Sequence, residues 1–280
     1  MMNKNEIAML AKDYREDKIV YPCYVEPKYD GVRVLAKVDK KEATVEFFFR
    51  SGKQVYTLEH LQMPLLDIMN SSCPTIYFDG EITSEDGFMK CVGDVRRKSK
   101  QAPHLTFRIF DAFHEADTRD YIYRKKHLEE MMVDCGLTEF IEYVDYRVCN
   151  DYKEVLVYKD LWETMESNVE GVMIKSNTHY NHGRTWDWMK IKDVQTVDFP
   201  IVDFYEGKGK YEGMLGGVIV ENPNTNVRIR VGGGYNDSER NIIWNNQEYY
   251  MGKTAEVKYQ YMTPKGSLRH PIYKGVRIDK

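Results

Sequence analysis

Lys28 and Arg33 bracket an Asp-Gly pair in Glu26-Pro27-Lys28-Tyr29-Asp30-Gly31-Val32-Arg33, just after an apolar stretch. A lysine can act as a nucleophile, and an arginine five residues on can hold phosphate or sugar. Free lysine titrates near 10.4, so only ~0.1% is the amine near neutral pH. A nucleophilic lysine therefore needs cations, a metal or desolvation around it. Its attack on a phosphate ester would give a phosphoramidate. A surface turn could also read this way.

Further short motifs follow in order. Arg50-Ser51-Gly52-Lys53 ends a strand and could clamp phosphate; alone it is a common turn. Phe78-Asp79-Gly80-Glu81 puts a carboxylate at an expected strand end, able to bind a ribose hydroxyl or assist a metal. Phe110-Asp111 offers a ring that could stack on a base or fill a core. In Glu170-Gly171-Val172-Met173-Ile174-Lys175, strand alternation sends Val172 and Ile174 one way and Met173 and Lys175 the other. A lysine buried beside a glutamate is expensive without a charged ligand, which favours a phosphate-and-metal site. Lys190 and Lys192 share one strand face and repel unless solvated or sharing an anion.

Singly, most of these lose to their bland alternatives. Taken in order, they resemble the covalent nucleotidyltransferase superfamily of polynucleotide ligases and messenger-RNA capping enzymes. The resemblance runs from about residue 20 to 280 and lies nearest the short ATP-dependent DNA ligases of bacteriophages and bacteria. Lys28 to Arg33 match motif I, Arg50-Ser51-Gly52 motif Ia, Asp79-Gly80-Glu81 motif III, and Phe110-Asp111 motif IIIa. Glu170 to Lys175 match motif IV, Lys190-Ile191-Lys192 motif V, and Leu268 to Lys280 motif VI. One departure is Gly275, where many members carry a second arginine, so Arg277 stands alone.

The resemblance implies three phosphoryl transfers. Lys28 takes AMP from ATP, the AMP passes to the 5′-phosphate of a nick in duplex DNA, and the 3′-hydroxyl displaces it. Residue by residue, it implies that Glu26 reads the adenine amine and that Phe110 stacks on the base opposite Val172 or Met173. Glu81 and Arg33 hold the ribose, Arg50 binds the nick 5′-phosphate, and Lys190 and Lys192 touch the α-phosphate. Lys175 joins the nucleotide-binding set, and Asp30 and Glu170 serve Mg²⁺ or Mn²⁺. Arg277, Asp279 and Lys280 orient the pyrophosphate. Only 27 residues precede Lys28, so ATP is expected over NAD⁺, whose ligases carry a further domain there. The alternative is an RNA ligase or capping-type enzyme. RNA ligases usually lack the motif VI module, and capping enzymes use GTP. A different class, a dead nucleic-acid-binding copy, has no chemical need for Lys28, Glu81, Glu170, Lys190 and Lys192.

The elements expected to position these residues are strands and helices in mixed order. Val32 to Val38 and Val45 to Phe49 read as paired strands, and Thr75 to Phe78 and Leu105 to Phe110 as two more. Leu58 to Met69, Arg124 to Cys135 and Tyr152 to Asn168 read as helices. Ile7, Leu10 and Tyr14 suggest a short amphipathic helix. After about residue 193 strands separated by Gly, Asn and Pro take over. The expected fold is α+β in two domains: a nucleotidyltransferase domain with antiparallel sheets over 1–193, a hinge near Asp193–Asp198, and an OB-fold β-barrel over 194–280.

Composition fits an ordinary globular protein: 280 residues, 42% hydrophobic and 30% charged, with no apolar run of membrane-spanning length. The five cysteines are odd in number and form no Cys-x-x-Cys pair, which points away from structural zinc and towards a reducing cytoplasm. Residues 1–193 hold 28 Lys+Arg against 34 Asp+Glu, and residues 194–280 hold 12 against 10. A DNA partner must then rely on local patches. Candidates are Arg96 to Lys100, which reads equally well as a solvated loop, Lys208-Gly209-Lys210 and the 232–240 segment. A monomer is expected, since the two domains must open and close around DNA.

Overall fold

The computed structural model describes residues 7–68, 74–115, 117–134 and 139–277. The chain divides into two compact units, Met1–Ile191 and Lys192–Lys280. Among the described residues no helix is long and apolar enough to cross a membrane.

The first unit holds two sheets. Sheet A contains β1 (Met9–Asp13), β2 (Cys23–Tyr29), β9 (Arg147–Cys149), β10 (Val169–Lys175) and β11 (Gly183–Lys192), in the order β1-β11-β10-β2-β9. Sheet B contains β3 (Val32–Asp39), β4 (Thr44–Phe49), β5 (Gln54–Val55), β6 (Thr75–Thr83), β7 (Thr106–Phe113) and β8 (Ile141–Tyr143), in the order β5-β4-β3-β6-β7-β8. Both are mixed: β1–β11 and β7–β8 pair parallel. Among the described residues four α-helices accompany them: α1 (Gln62–Ile68), α2 (Phe88–Val95), α3 (Tyr121–Asp134) and α4 (Tyr152–Met165).

Three cores hold this unit together. Sheet B packs Val34, Ala36, Phe78, Phe107 and Ile109 with Leu65 of α1, Cys91 and Val95 of α2 and Leu128 and Met131 of α3. Sheet A packs Val25, Val172, Ile174 and Met189 with Val155 and Trp162 of α4. A third core contains Met9 and Trp188 of sheet A and Leu35, Tyr77 and Phe113 of sheet B, with Tyr180 stacked on Phe113 at 3.8 Å between ring centroids. Burying each such aliphatic or aromatic side chain contributes roughly 2 kcal/mol. The β2–β3 turn at Asp30-Gly31 carries the chain from sheet A into sheet B. A Cβ on Gly31 would lie 2.2 Å from the Ile82 carbonyl oxygen, so only glycine lets this turn press against β6.

Several expectations need correction. Met9–Asp13 is a strand, because pairing with β11 outweighs a weak helical spacing. The strand expected to end at Asp79 runs on as β6 to Thr83, so Asp79-Gly80-Glu81 lies inside a sheet. The helix expected over Leu58 to Met69 starts with a 3₁₀ turn, Glu59–Leu61, before α1. Cys135, Gly136 and Met69 lie outside the described residues.

The second unit is built on β12 (Gln195–Glu206), β13 (Leu215–Asn222), β14 (Val227–Val231), β15 (Thr254–Tyr259) and β16 (Ile272–Val276). They form an antiparallel sheet in the order β14-β13-β12-β15-β16. The long β12 pairs with β15 through its first half and β13 through its second, the bent sharing expected of an OB-fold. The ladder is open rather than a closed barrel: among the described residues the two edges meet at one bridge, Gly233 to Ile272. The helices α5 (Asp237–Asn245) and α6 (Gln247–Tyr250) interrupt the expected all-strand texture. Asn236 and Glu239 close a reciprocal capping box at the start of α5.

Candidate functional site

Sheets A and B converge on Lys28. It faces a bulge: Val169 pairs with Tyr29 and Val172 with Pro27, so Glu170 and Gly171 together oppose Lys28 alone. Gly171 takes φ +143, a conformation open to glycine. The bulge turns Glu170 towards Lys28, whose Nζ donates to Glu170 Oε1, with both side chains largely buried.

Across the junction, Arg33 on β3 lies opposite Glu81 on β6. Its guanidinium, however, donates to Asp79 through Nε at 2.8 Å and Nη2 at 2.5 Å. Asp79 is fully buried and also accepts from the Tyr180 hydroxyl at 2.6 Å, while that hydroxyl accepts from the Met9 backbone N–H at 3.0 Å. Burial works against the Arg33 charge, but Asp79 outweighs it and raises its pKa. Glu81 is pushed up to about 7 by burial, against the pull of Lys28 and Arg33 and with a further push from Glu170 and Asp79. Lys28, Arg33, Glu81 and Glu170 are thus gathered by four strands of two sheets. Asp30 lies in the joining turn, its backbone N–H donating to Asn168 at 2.8 Å.

A buried polar floor lies beside this cluster. Glu26 is 1% exposed and accepts from the Tyr121 hydroxyl at 2.5 Å, with Lys175 Nζ at 2.6 Å and Lys125 Nζ at 3.0 Å. Burial lowers the Lys175 pKa, partly countered by Glu26. Lys175 also sits over the rings of Trp188 at 4.1 Å and Phe110 at 4.7 Å. Arg33 approaches Phe110 at 5.3 Å, so Phe110 is flanked by two cations. Met173 neighbours Glu26 on the adjacent strand and packs towards Phe110's side. The reading of Val172 as a base contact is corrected: it is fully buried in the core facing α4, on the other face of the sheet.

The remaining expected residues are less tightly drawn in. Lys190 pairs with Asp13 at 3.4 Å on the neighbouring strand. Lys192 ends β11 on the same face as Lys190. Arg50 is exposed in the β4–β5 turn, and among the described residues no hydrogen bond or ion pair joins it to Lys28 or Glu170. Arg277, in the second unit, pairs with Asp198 at 3.1 Å and Glu256 at 3.3 Å. Asp279 and Lys280 lie outside the described residues.

The sequence reading missed Tyr180, Tyr121 and Lys125. Lys125 falls three residues before Leu128, on the apolar stripe of α3, and a lysine on that stripe was the available signal. Tyr180 carried none.

Two family models match: an ATP dependent DNA ligase domain over residues 8–192 and a DNA ligase OB-like domain over 206–277. The chain belongs to the ATP-dependent DNA ligase family. A DNA ligase of Pyrobaculum islandicum is 27% identical over 247 residues, covering 76% of this chain and 40% of that protein. A DNA ligase of Enterobacteria phage T4 is 24% identical, covering 97% of this chain and 68% of that one. The solved structure Pmar-Lig_Pre superposes with a TM-score of 0.86 at 26% identity, covering 99% of this chain and 69% of that chain. The chain thus spans about two fifths of the Pyrobaculum islandicum ligase it matches. Within the ligase family model fall Lys28, Arg33, Glu81 and Glu170 together, the cluster that sheets A and B assemble.

Proposed function

We propose that this chain is an ATP-dependent DNA ligase that seals 5′-phosphate/3′-hydroxyl nicks in duplex DNA through a Lys28–AMP intermediate. The observation that carries the reading is Lys28 held on Glu170 at a β-bulge, within a matched ligase domain. Glu170 fixes the lysine's position, and the amine, its proton released to solvent, attacks the α-phosphate of ATP. The N–P bond forms as the bond to pyrophosphate breaks. The AMP then moves to the nick 5′-phosphate, freeing Lys28, and the 3′-hydroxyl displaces AMP to close the strand. Each transfer rests on in-line positioning and charge neutralisation.

Glu26 and Phe110 serve the adenine, with Met173 beside them. Glu26 must exchange part of its present shell of Tyr121, Lys125 and Lys175 to reach the base amine. Glu81 serves the ribose. Arg33 acts through its lock on Asp79, and Lys175, Lys190 and Lys192 supply positive charge to the phosphates. Arg50 meets the nick 5′-phosphate. A divalent cation, Mg²⁺ or Mn²⁺, would have to be shared with the nucleotide: among the described residues no group of three or more His, Cys, Asp or Glu is placed to hold a metal alone. Glu170 and Asp30 would hold it, leaving phosphate and water to complete its shell, and it would neutralise the phosphates. Arg277, with Asp279 and Lys280, orients the pyrophosphate in the first step. The domain boundary at 193/194, the hinge at Asp193–Asp198, a monomeric state and host or cell cytoplasm complete the reading.

The test is charging. Incubation with α-labelled ATP and Mg²⁺ should label the chain at Lys28, and Lys28→Ala should abolish both label and nick sealing. A labelled Lys28→Ala protein would refute the assignment.

A further inference from the structure

A cationic cavity lies wholly within the OB-like unit. It has a volume of about 450 Å³ and is lined by Tyr205, Lys208, Tyr211, Arg230 and Arg240, with Glu206 as its acid and Gly232 in its wall. Arg240 is 6% exposed. Its Nη1 donates to the Leu215 and Gly216 carbonyls at 2.7 and 3.0 Å, and its Nη2 to that of Gly232 at 3.0 Å. Its Nε is buried without a hydrogen-bond partner. Among the described residues no carboxylate forms an ion pair with Arg240, Arg230 or Lys208. Glu206 instead accepts from the Gly213 backbone N–H at 2.8 Å.

A buried guanidinium that meets only carbonyls and ring faces is an uncompensated charge, and buried charges are ordinarily paired. The rings of Tyr211 and Tyr235 lie 4.3 and 5.0 Å from Arg240, and Tyr205 lies 4.9 Å from Arg230. These contacts hold both guanidinium groups in place without cancelling their charge. Two sequence segments with separate claims on DNA, Lys208-Gly209-Lys210 and 232–240, meet around this one cavity.

We propose that the cavity is an anion site for a single phosphate group, with Arg240 at its base and Arg230 and Lys208 at its rim. The phosphate comes either from the backbone of duplex DNA, which rests on the ligase reading, or from a free phosphate ester, which does not.

The test uses the full ¹⁵N-labelled chain and follows the Arg240 Nε–H resonance. Inorganic phosphate and a nicked duplex are added separately, and Lys28 charging is measured in the same preparations to judge the ligase reading on its own. Arg230→Glu probes the rim without disturbing the buried arginine. Arg228→Glu is the control on the same strand, since Arg228 pairs with Glu221 at 3.1 Å and does not line the cavity. For a DNA source, the duplex moves the resonance, and Arg230→Glu weakens duplex binding about tenfold and lowers the salt slope by about one, well beyond Arg228→Glu. For a free ester, phosphate alone moves the resonance and Arg230→Glu leaves duplex binding unchanged. A resonance that neither probe moves overturns the proposal. So does a duplex response reduced equally by both variants while phosphate has no effect.

Discussion

At the scale of single residues, the site is a balance of charges too crowded to be left alone. Glu81 shows it most directly. Burial first, and then Glu170 and Asp79, lift its carboxyl from an ordinary value of 4.5 to about 7 against the pull of Lys28 and Arg33. The folded protein therefore holds a proton that the unfolded chain releases at lower pH. Its contribution to stability is unaffected below about pH 4, declines as pH rises through the window from 4.5 to about 7, and levels off above it. Glu81→Gln removes this penalty, so its melting temperature relative to the parent should climb between about pH 4.5 and 7 and level off above it. A flat difference across that range would place Glu81 outside the buried cluster. Asp79 tests the neighbouring lock. Asp79→Ala strands the Arg33 guanidinium and should cost about 3 kcal/mol in urea unfolding, whereas Asp79→Asn retains an acceptor and should cost less.

Lys28, Glu81 and Glu170 could be read as chemistry because their types and order are unusual in combination. The partner of Arg33 could not. Its nearest cross-strand neighbour is Glu81, yet its side chain reaches two residues along β6 to Asp79. The hydroxyl that completes that lock comes from Tyr180, 101 residues further along the chain. Contacts of that range leave no local pattern.

At the scale of elements, the decisive feature is the bulge in β10. Alternation along Glu170 to Lys175 gave the strand and its faces, but not the two-against-one register that presents Glu170 to Lys28. Gly171→Ala forces a side chain into φ +143, which costs of the order of 1–3 kcal/mol and favours straightening the bulge. Charging of Lys28 should slow by at least about tenfold in rapid-quench measurements, since 1.4 kcal/mol is a factor of ten in rate. A rate within about twofold of the parent would show that the bulge does not set the geometry. Elsewhere, strands with clean alternation, such as Val32–Asp39, were legible to within one residue of their ends. Met9–Asp13 was not, because its spacing of Ile7, Leu10 and Tyr14 is weaker than the pairing β11 offers. In α5 the capping signal Asn236-x-x-Glu239 was present but lay within Gly- and Asn-rich sequence. Asn236→Ala should cost about 1 kcal/mol of stability.

At the scale of the whole molecule, the chain has two compact units, and the proposed roles fall on both. Lys28 and its acidic neighbours lie in the first, and Arg277 in the second, where it pairs with Asp198 and Glu256. If Arg277 serves only pyrophosphate release, Arg277→Ala should slow Lys28 charging by tenfold or more and leave sealing of a pre-adenylated nick within about threefold of the parent. Equal loss in both steps would mean that it supports the fold or the DNA instead. The charge excess of the second unit was readable from composition. How its cations group around one cavity was not, since Lys208, Arg230 and Arg240 come from three separate segments.

The most direct test of the central claim is single-turnover sealing. The chain is charged with ATP and Mg²⁺, free ATP is removed, and a 5′-phosphorylated nick in duplex DNA is added beside a matched RNA nick. The account predicts rapid joining of the DNA nick, one seal per charged molecule, and none with Lys28→Ala. Charging without DNA sealing, or preferential joining of the RNA nick, would contradict it.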